Sequence, residues 1–176
     1  MKVAITGHTR GIGKAIAELY PDHIGFSRSN GYDISVLENR TSIISQCEDC
    51  DVFINNAYQD EHQIEMYNEI FEPWHHHKEK TIVNICSRAV YEDPDEKPYN
   101  KNKSLLKNIS NPGNNYVRQC RVININPGWV ATTRVPEEWL IQQNYPYITA
   151  TECARYVKWA IDQNLEIGEL SFWKSK

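Results

Sequence analysis

Residues Thr6 to Gly13 read Thr-Gly-His-Thr-Arg-Gly-Ile-Gly and directly follow the apolar run Val3-Ala4-Ile5. The segment that comes next has helical periodicity, with apolar residues on one face. A strand, a glycine-rich turn and a helix in this order are the context of a dinucleotide-binding fingerprint. The glycines let a backbone approach a pyrophosphate closely, and the helix N-terminus offers free N–H groups. The spacing here is Gly-x-x-x-Gly-x-Gly, so a tight turn without a ligand is the alternative.

The composition limits the class of protein. The chain has 176 residues and a net charge of −4, which predicts one domain, residues 1–176, with a sizeable core. It has no cluster of Lys or Arg and no apolar run of transmembrane length, so we expect neither nucleic acid nor membrane as a partner. The chain begins with a strand pattern rather than a signal peptide, which favours a cytoplasmic location and reduced cysteines.

Two short motifs resemble metal sites. Cys47-Glu-Asp-Cys50 has the spacing of a redox or zinc half-site, but no second pair accompanies it. His75-His76-His77 would point in different directions on a helix and could not all reach one ion. We therefore expect no metal.

Strand and helix patterns alternate along the chain. The predicted strands are 2–6, 23–27, Tyr32 to Ile34, 51–55, 81–86, 121–126 and 169–173. The predicted helices are 11–20, 36–47, 60–78 with an interruption near Pro73, a segment from Tyr99 that stops by Pro112-Gly113, and 150–163. This order predicts an α/β fold: a doubly wound parallel sheet, or Rossmann fold, of about six to seven strands with helices on both faces.

Polar residues follow the carboxyl ends of two predicted strands, where sheets of this type bind ligands. Asn55-Asn56-Ala57 ends one strand, and Ser87 follows the next. Tyr99 and Lys103 are four positions apart, so a helix would stack them on one face. A neighbouring ammonium lowers the pKa of a tyrosine, and a serine hydroxyl can polarise a carbonyl oxygen. An isolated Tyr-x-x-x-Lys is more often a solvated surface pair; the order of the motifs favours a site.

These motifs, in this order, resemble the short-chain dehydrogenases/reductases over nearly the whole chain, which would be an unusually short member. The resemblance implies that Tyr99 is the acid/base and that Ser87 orients the substrate. It implies that Lys103 lowers the pKa of the tyrosine and holds the nicotinamide ribose. An asparagine of the preceding helix, by position Asn68, would support a proton relay.

The resemblance also implies which residues surround the cofactor. They comprise the glycine loop, the end of the second strand, the acidic position near the adenine, the Asn-Asn-Ala segment, the lysine, and the Pro-Gly segment with its threonine. These are Gly7, Thr9, Arg10, Gly11, Ile12, Gly13, Ser27, Arg28, Asp33, Ile34, Asn55, Asn56, Ala57, Lys103, Pro127, Gly128, Val130 and Thr132.

The chain departs from the family pattern in three respects. Tyr58 stands where the family has glycine, and only a few residues join the second and third predicted strands. The helices around Ser87 and Tyr99, which usually build the family's dimer interface, are short. We therefore expect a monomer, or a dimer formed by another surface.

The cofactor preference can be argued from the end of the second strand. Phe26-Ser27-Arg28-Ser29 carries no acid for an adenosine ribose, and Arg10 lies in the glycine loop. Arginine binds phosphate through bidentate, charge-assisted hydrogen bonds, which favours NADP(H) over NAD(H). The alternative is that both arginines are solvated surface charges.

The sequence thus favours a cytoplasmic NADP(H)-dependent oxidoreductase, a carbonyl reductase or alcohol dehydrogenase acting on a small carbonyl or alcohol substrate. A catalytically weak dinucleotide-binding sensor or regulatory module on the same fold is the alternative. A nucleotide-sugar epimerase is disfavoured, because little sequence follows Pro127. Residues 129–149 would form a short substrate loop whose aromatic residues either line an apolar pocket or pack in the core: Trp129, Trp139, Tyr145 and Tyr147.

Overall fold

The central feature of the molecule is a six-stranded parallel sheet, seen in a computed structural model that describes residues 1–93, 95–111 and 118–175. The strands are β1 (Val3–Thr6), β2 (Ile24–Phe26), β3 (Val52–Asn55), β4 (Thr81–Ile85), β5 (Arg121–Pro127), β6 (Trp129–Ala131), β7 (Tyr147–Thr149) and β8 (Glu169–Phe172). The sheet has the order β2-β1-β3-β4-β5-β8, and all five pairings are parallel. Strands β6 and β7 form a separate parallel pair.

Helices cover both faces of this sheet. They are α1 (Gly11–Ala17), α2 (Leu37–Gln46), α3 (His62–Trp74), α4 (Pro98–Ile109), α5 (Glu137–Gln142) and α6 (Ala150–Asp162), with 3-10 helices at Arg28–Asn30 and Arg88–Tyr91. One hydrophobic cluster joins the sheet to α1 and α6, and a second joins it to α2, α3 and α4. The predicted doubly wound α/β fold is confirmed.

Burial on both faces explains why the central strands read as continuous apolar runs. In β3, Val52 and Ile54 pack with the α1 and α6 cluster, whereas Phe53 between them packs with the opposite cluster. Successive side chains of a strand point to opposite faces, so a strand covered on both sides needs apolar residues at each position.

The strand predicted at Tyr32 to Ile34 is wrong. The backbone there forms turns, since Tyr32 N donates to Ser27 O at 2.9 Å and Asp33 Oδ1 accepts from Ser35 N at 2.9 Å. The apolar side chains still pack inward: the Tyr32 ring meets Phe26 edge-on at 4.9 Å, and Ile34 is buried. The apolar pattern therefore reflects a packed turn rather than a strand.

Most other boundaries outside the substrate loop agree within two residues, but α1 ends at Ala17 and α3 at Trp74, three and four residues before their predicted ends. Helix α3 ends at Trp74, one residue beyond Pro73, and α4 ends at Ile109. Pro112-Gly113, the predicted stop of α4, lies outside the described residues. The segment 129–149 contains β6, α5 and β7, none of which was predicted, because each is only three to six residues long.

Two further findings concern the described ranges only. No helix within them is long and apolar enough to cross a membrane. They also contain no group of three or more His, Cys, Asp or Glu side chains arranged to hold a metal ion. Cys47 and Cys50 are buried free thiols.

Candidate active site and nucleotide cleft

A cleft of about 980 Å³ opens at the carboxyl ends of β1, β2 and β3. Ligands bind at this edge in open parallel sheets, because the strand ends and the helix N-termini meet there. Twelve of the predicted cofactor residues line it, together with Tyr58 and Arg134. The twelve are Gly7, Thr9, Arg10, Gly11, Ile12, Ser27, Arg28, Asp33, Ile34, Asn56, Ala57 and Thr132.

The glycine loop forms a cradle that side chains would fill. Gly7 and Gly11 have φ values of +69° and +54°, in the left-handed region that other residues adopt at a cost. A Cβ atom on Gly13 would lie 2.2 Å from the carbonyl oxygen of Gly7. Gly13 itself does not line the cleft, because it packs the start of α1 against the loop. A backbone cradle at a helix N-terminus fits the pyrophosphate of a dinucleotide.

Hydrogen bonds of Asn56 and Thr6 hold this loop in place. The Asn56 Nδ2 donates to the carbonyl oxygens of Thr6 and Gly7 at 3.0 and 3.2 Å. The Thr6 hydroxyl accepts from the backbone N–H groups of Asn56 and Ala57, both at 3.0 Å. These bonds join the end of β3 to the loop after β1, so the Asn-Asn-Ala segment shapes the cleft through the backbone.

The part of the cleft beside the end of β2 is lined by Arg10 and Arg28, and both side chains are exposed. The Asp33 carboxylate instead accepts from the backbone and hydroxyl of Ser35, and these bonds lower its pKa. The Ser27 hydroxyl bonds to Ser29 at 2.8 Å and stays within its own turn. Among the described residues, the cationic side chains that line this part of the cleft are the two arginines, and Arg28 also acts electrostatically on Asp33.

Five other predicted cofactor residues lie outside the cleft as the structure shows it. Asn55 is buried within the sheet, and Lys103 is buried beneath Tyr58. Pro127 ends β5, Gly128 packs so closely that a Cβ would lie 2.6 Å from Trp173, and Val130 joins a small cluster with Ile148 and Cys153. Pro127, Gly128 and Val130 shape the ends of β5 and β6, while Thr132 just beyond them reaches the cleft.

Ser87 and Tyr99 lie close together at the carboxyl end of β4, beside this cleft. Ser87 follows β4 and its hydroxyl accepts from Ala89 N at 3.2 Å, while Tyr99 lies in the first turn of α4 after Pro98. Burial raises the pKa of Tyr99, and its hydrogen bond with Ser87 partly offsets that rise. A tyrosine with a raised pKa is protonated at neutral pH and can donate a proton.

Lys103 lies on the same face of α4, one turn after Tyr99, and is only 3% exposed. Its ammonium donates to Gln63 Oε1 at 2.6 Å and to the Ile85 carbonyl at 2.8 Å. Burial lowers its pKa to about 8. The nitrogen is 5.6 Å from the Tyr99 ring centroid, but the expected lowering of the Tyr99 pKa by this lysine is not found. Burial raises the Tyr99 pKa, and the groups that act against the rise are Ser87 and Arg134.

The α3 side chain that reaches the lysine is Gln63, which the sequence analysis missed. Asn68, the residue predicted there, is exposed and is not brought to this cluster. Gln63 Nε2 also donates to the carbonyl oxygens of Asn55 and Ile85, so its whole amide is engaged. The signal that could have identified it is a polar residue on the buried face of α3, in step with Tyr67, Ile70 and Trp74.

A ladder of buried asparagines extends from this cluster across the sheet. Asn55, Asn84 and Asn124 are in register on β3, β4 and β5. Asn55 Nδ2 donates to Asn84 Oδ1, and Asn84 Nδ2 donates to Asn124 Oδ1, each at 3.1 Å. The Ser110 hydroxyl of the turn after α4 completes the ladder at 2.9 Å from Asn124 Oδ1. Buried amides of this kind fix strand register because each needs its partner.

Tyr58, at the position where glycine was expected, lies between the cleft and the side chains of Tyr99 and Lys103. Its ring lies edge-on to the Tyr99 ring with centroids 5.0 Å apart, and the Lys103 nitrogen is 4.9 Å from its centroid. Burial raises the pKa of Tyr58, and a hydrogen bond to Asn102 lowers it. The ring therefore covers the lysine on its cleft side.

The aromatic residues of the 129–149 segment are neither deeply buried nor in the cleft. Trp129 stacks on Tyr145 with centroids 5.1 Å apart and meets Trp139 at 5.7 Å, and all three are about two-fifths exposed. Tyr147 bonds to Glu137 instead. Trp129, Trp139 and Tyr145 form a cluster on the surface.

Comparison with known proteins gives a clear result for structures only. No protein-family model matches the sequence, and no curated protein is significantly similar to it. A 3-alpha-hydroxysteroid dehydrogenase from Pseudomonas sp., solved with NADH, is 16% identical with a TM-score of 0.74, covering 97% of this chain and 94% of that one. A serine dehydrogenase from Escherichia coli is 14% identical with a TM-score of 0.76, covering 99% and 98%.

A third structure, a short-chain dehydrogenase from Burkholderia cenocepacia in complex with NADP, is 17% identical with a TM-score of 0.74, covering 97% of this chain and 87% of that one. At this level of identity, the shared feature is the path of the backbone. The chain therefore has the fold of the short-chain dehydrogenases and reductases.

Proposed function

We propose that the chain is an NADP(H)-dependent oxidoreductase that interconverts a small carbonyl compound and its alcohol. The observation that carries the proposal is that Ser87, Tyr99 and Lys103 lie close together at the carboxyl end of β4, beside a cleft with a glycine cradle. The similar structures named above include dehydrogenases solved with NADH and with NADP, which supports a nicotinamide cofactor.

The proposed chemistry assigns one task to each side chain. When bound, a dihydronicotinamide supplies a hydride equivalent to the carbonyl carbon. Tyr99 donates its hydroxyl proton to the carbonyl oxygen, and the Ser87 hydroxyl donates a hydrogen bond to the same oxygen. The ammonium of Lys103, 5.6 Å from the tyrosine ring, stabilises the phenolate that remains until solvent reprotonates it.

The proposed preference for NADP(H) rests on Arg10 and Arg28. Both line the cleft, both are exposed, and no acidic residue follows β2 directly. A guanidinium can hold a 2′-phosphate through two parallel hydrogen bonds.

Replacement of Tyr99 by phenylalanine tests the proposed catalysis. Tyr99→Phe removes the hydroxyl and keeps the ring that packs on Tyr58. We expect NADPH oxidation with a panel of carbonyl compounds to fall by roughly 10²–10⁴-fold, with NADPH affinity nearly unchanged. Tyr156→Phe, at an exposed tyrosine of α6, should retain activity. Near-full activity of Tyr99→Phe would reject the mechanism.

A sensor or regulatory module remains a second candidate because of Tyr58. Two of the three N–H groups of the Lys103 ammonium already have protein acceptors, and the Tyr58 ring covers the lysine on its cleft side, so the ring stands between the lysine and a ribose in this arrangement. If the protein binds NADPH but oxidises it with no carbonyl compound, this second function takes the lead.

A further inference from the structure

Arg134 is a charged side chain at the mouth of the site that the proposed reaction leaves unused. It lines the cleft, and its guanidinium carbon lies 5.5 Å from the centroid of the Tyr58 ring. That ring is itself 5.0 Å from the ring of Tyr99. Arg134 and Tyr99 therefore both lie against the ring of Tyr58.

The turn that carries Arg134 is well defined. The Thr132 hydroxyl accepts from the backbone N–H groups of Arg134 and Val135, at 3.3 and 3.2 Å. Thr132 N in turn donates to Val135 O at 2.9 Å. These three bonds close a turn after β6 and direct the arginine over Tyr58.

The charge of Arg134 is not neutralised by the protein. Within the described part of the chain, no carboxylate lies within ion-pair distance of its guanidinium, whereas Arg40 and Arg118 are both paired. Its positive charge acts toward lower pKa values at Tyr99, Tyr58 and Lys103, while burial keeps the pKa of both tyrosines above its usual value. An exposed, unpaired guanidinium beside a reacting centre suits an anionic group of the ligand.

Resting on the function proposed above, we propose that Arg134 binds a carboxylate of the substrate, so that the preferred substrates are oxo acids and the corresponding hydroxy acids. The carbonyl oxygen of such a substrate lies at Tyr99 and Ser87, and its carboxylate lies at the guanidinium of Arg134. The backbone of the glycine cradle provides separate donors for a pyrophosphate, which leaves Arg134 for the substrate.

The test compares matched acids and esters. Rates of NADPH oxidation are measured with pyruvate and acetoacetate and with their methyl esters, for the unmodified protein, Arg134→Gln and Arg134→Lys. We expect the unmodified protein to prefer the acids. Arg134→Gln should lower kcat/KM for the acids about tenfold and leave the esters within about twofold, since the lost hydrogen bonds are charge-assisted but exposed. Arg134→Lys should retain part of the preference.

Arg88→Gln is the matched control. Arg88 is the exposed arginine next to Ser87, and its guanidinium lies over the Trp173 ring at 5.1 Å. This variant should keep the preference for acids. If Arg88→Gln loses the preference for acids and Arg134→Gln keeps it, the proposal is overturned.

Other outcomes are equally decisive. An equal loss with acids and esters, or weaker NADPH binding by Arg134→Gln in calorimetry, would mean that Arg134 serves the cofactor or the fold. Turnover of esters in preference to acids would also overturn the proposal while leaving the oxidoreductase function intact. If the unmodified protein reduces neither acids nor esters, nor any other carbonyl compound, the proposed function fails and this inference fails with it.

Discussion

The ammonium of Lys103 and the amide oxygen of Gln63 are 2.6 Å apart, and this hydrogen bond joins α4 to α3 beneath the candidate site. The lysine is fully enclosed, so its charge depends on the acceptors around it rather than on water. Gln63 provides one acceptor and the Ile85 carbonyl the other. The position of the proposed catalytic lysine is therefore set by a glutamine of the neighbouring helix.

Replacement of Gln63 by leucine should destabilise the protein and impair the site together. Gln63→Leu leaves the Lys103 ammonium with one acceptor and removes both donors to the carbonyl oxygens of Asn55 and Ile85. We expect a loss of roughly 1–3 kcal/mol in the free energy of unfolding by urea titration. Gln142→Leu, at an exposed position of α5, is the control and should change stability little. Equal stability of the two variants would show that the contact is dispensable.

The buried charge of Lys103 also predicts a pH-dependent contribution to stability. Burial lowers the pKa of Lys103 from 10.5 to about 8. Below the folded-state pKa, the lysine is charged in both states, and its buried charge destabilises the fold in full. Between the folded-state and unfolded-state pKa values, the unfolded chain binds a proton that the folded chain has released, so the destabilisation disappears as the pH rises. Unfolding free energy measured for the unmodified protein, relative to Lys103→Met, should rise by about 3 kcal/mol across this interval.

The quantity to measure is the difference in unfolding free energy between the unmodified protein and Lys103→Met at each pH. Five buried cysteines with raised pKa values act in the opposite sense, because the stability they contribute is lost as the pH rises: Cys47, Cys50, Cys86, Cys120 and Cys153. Both proteins contain them, so the contributions of Cys47, Cys50, Cys120 and Cys153 cancel in the comparison. Cys86 is coupled to Lys103, which lowers the pKa of its thiol, so the comparison is made in a Cys86→Ala background. A difference that stays flat with pH would show that Lys103 keeps an ordinary pKa.

The cofactor preference is tested at Arg28. Calorimetric titration of the unmodified protein should show NADPH binding more tightly than NADH by roughly 1–3 kcal/mol, because a guanidinium adds charge-assisted hydrogen bonds to the 2′-phosphate. Arg28→Ala should remove much of this difference and leave NADH affinity unchanged. Arg155→Ala, an exposed arginine on α6, should leave both affinities as they are. Equal affinity of the unmodified protein for both cofactors would reject the assignment.

The sequence predicted those features that depend on local pattern. The apolar runs of the central strands, the glycine spacing and the Tyr99-x-x-x-Lys103 pair each report a constraint within one element, and the sheet, the cleft and the tyrosine–lysine face followed from them. Asp33 lines the cleft as predicted, although its neighbours form turns instead of a strand.

Features that depend on contacts between elements could not be read in this way. Gln63 meets Lys103 across a separation of 40 residues, and a polar residue on a helix gives no indication of its partner. Arg134 lies over Tyr58 because a turn after β6 folds back on the cleft. The raised pKa of Tyr99 follows from burial, which the spacing of the motif does not reveal.

Replacement of Tyr58 by glycine tests what its ring does over the lysine. The ring lies between the cleft and Lys103, at 4.9 Å from the ammonium. Tyr58→Gly would open the lysine to the cleft and to water, so we expect its pKa to rise from about 8 toward its ordinary value. NADPH should bind roughly tenfold more tightly if the exposed ammonium gains a hydrogen bond to a ribose hydroxyl.

Tyr58→Phe is the matched control for this change. It keeps the ring over Lys103 and loses only the hydroxyl that bonds to Asn102. NADPH affinity by calorimetry and the lysine pKa by carbon-13 NMR should therefore stay near those of the unmodified protein. If the glycine variant binds NADPH more weakly than the phenylalanine variant, the ring is part of the binding surface instead of a cover, and the cofactor must approach the lysine without displacing it.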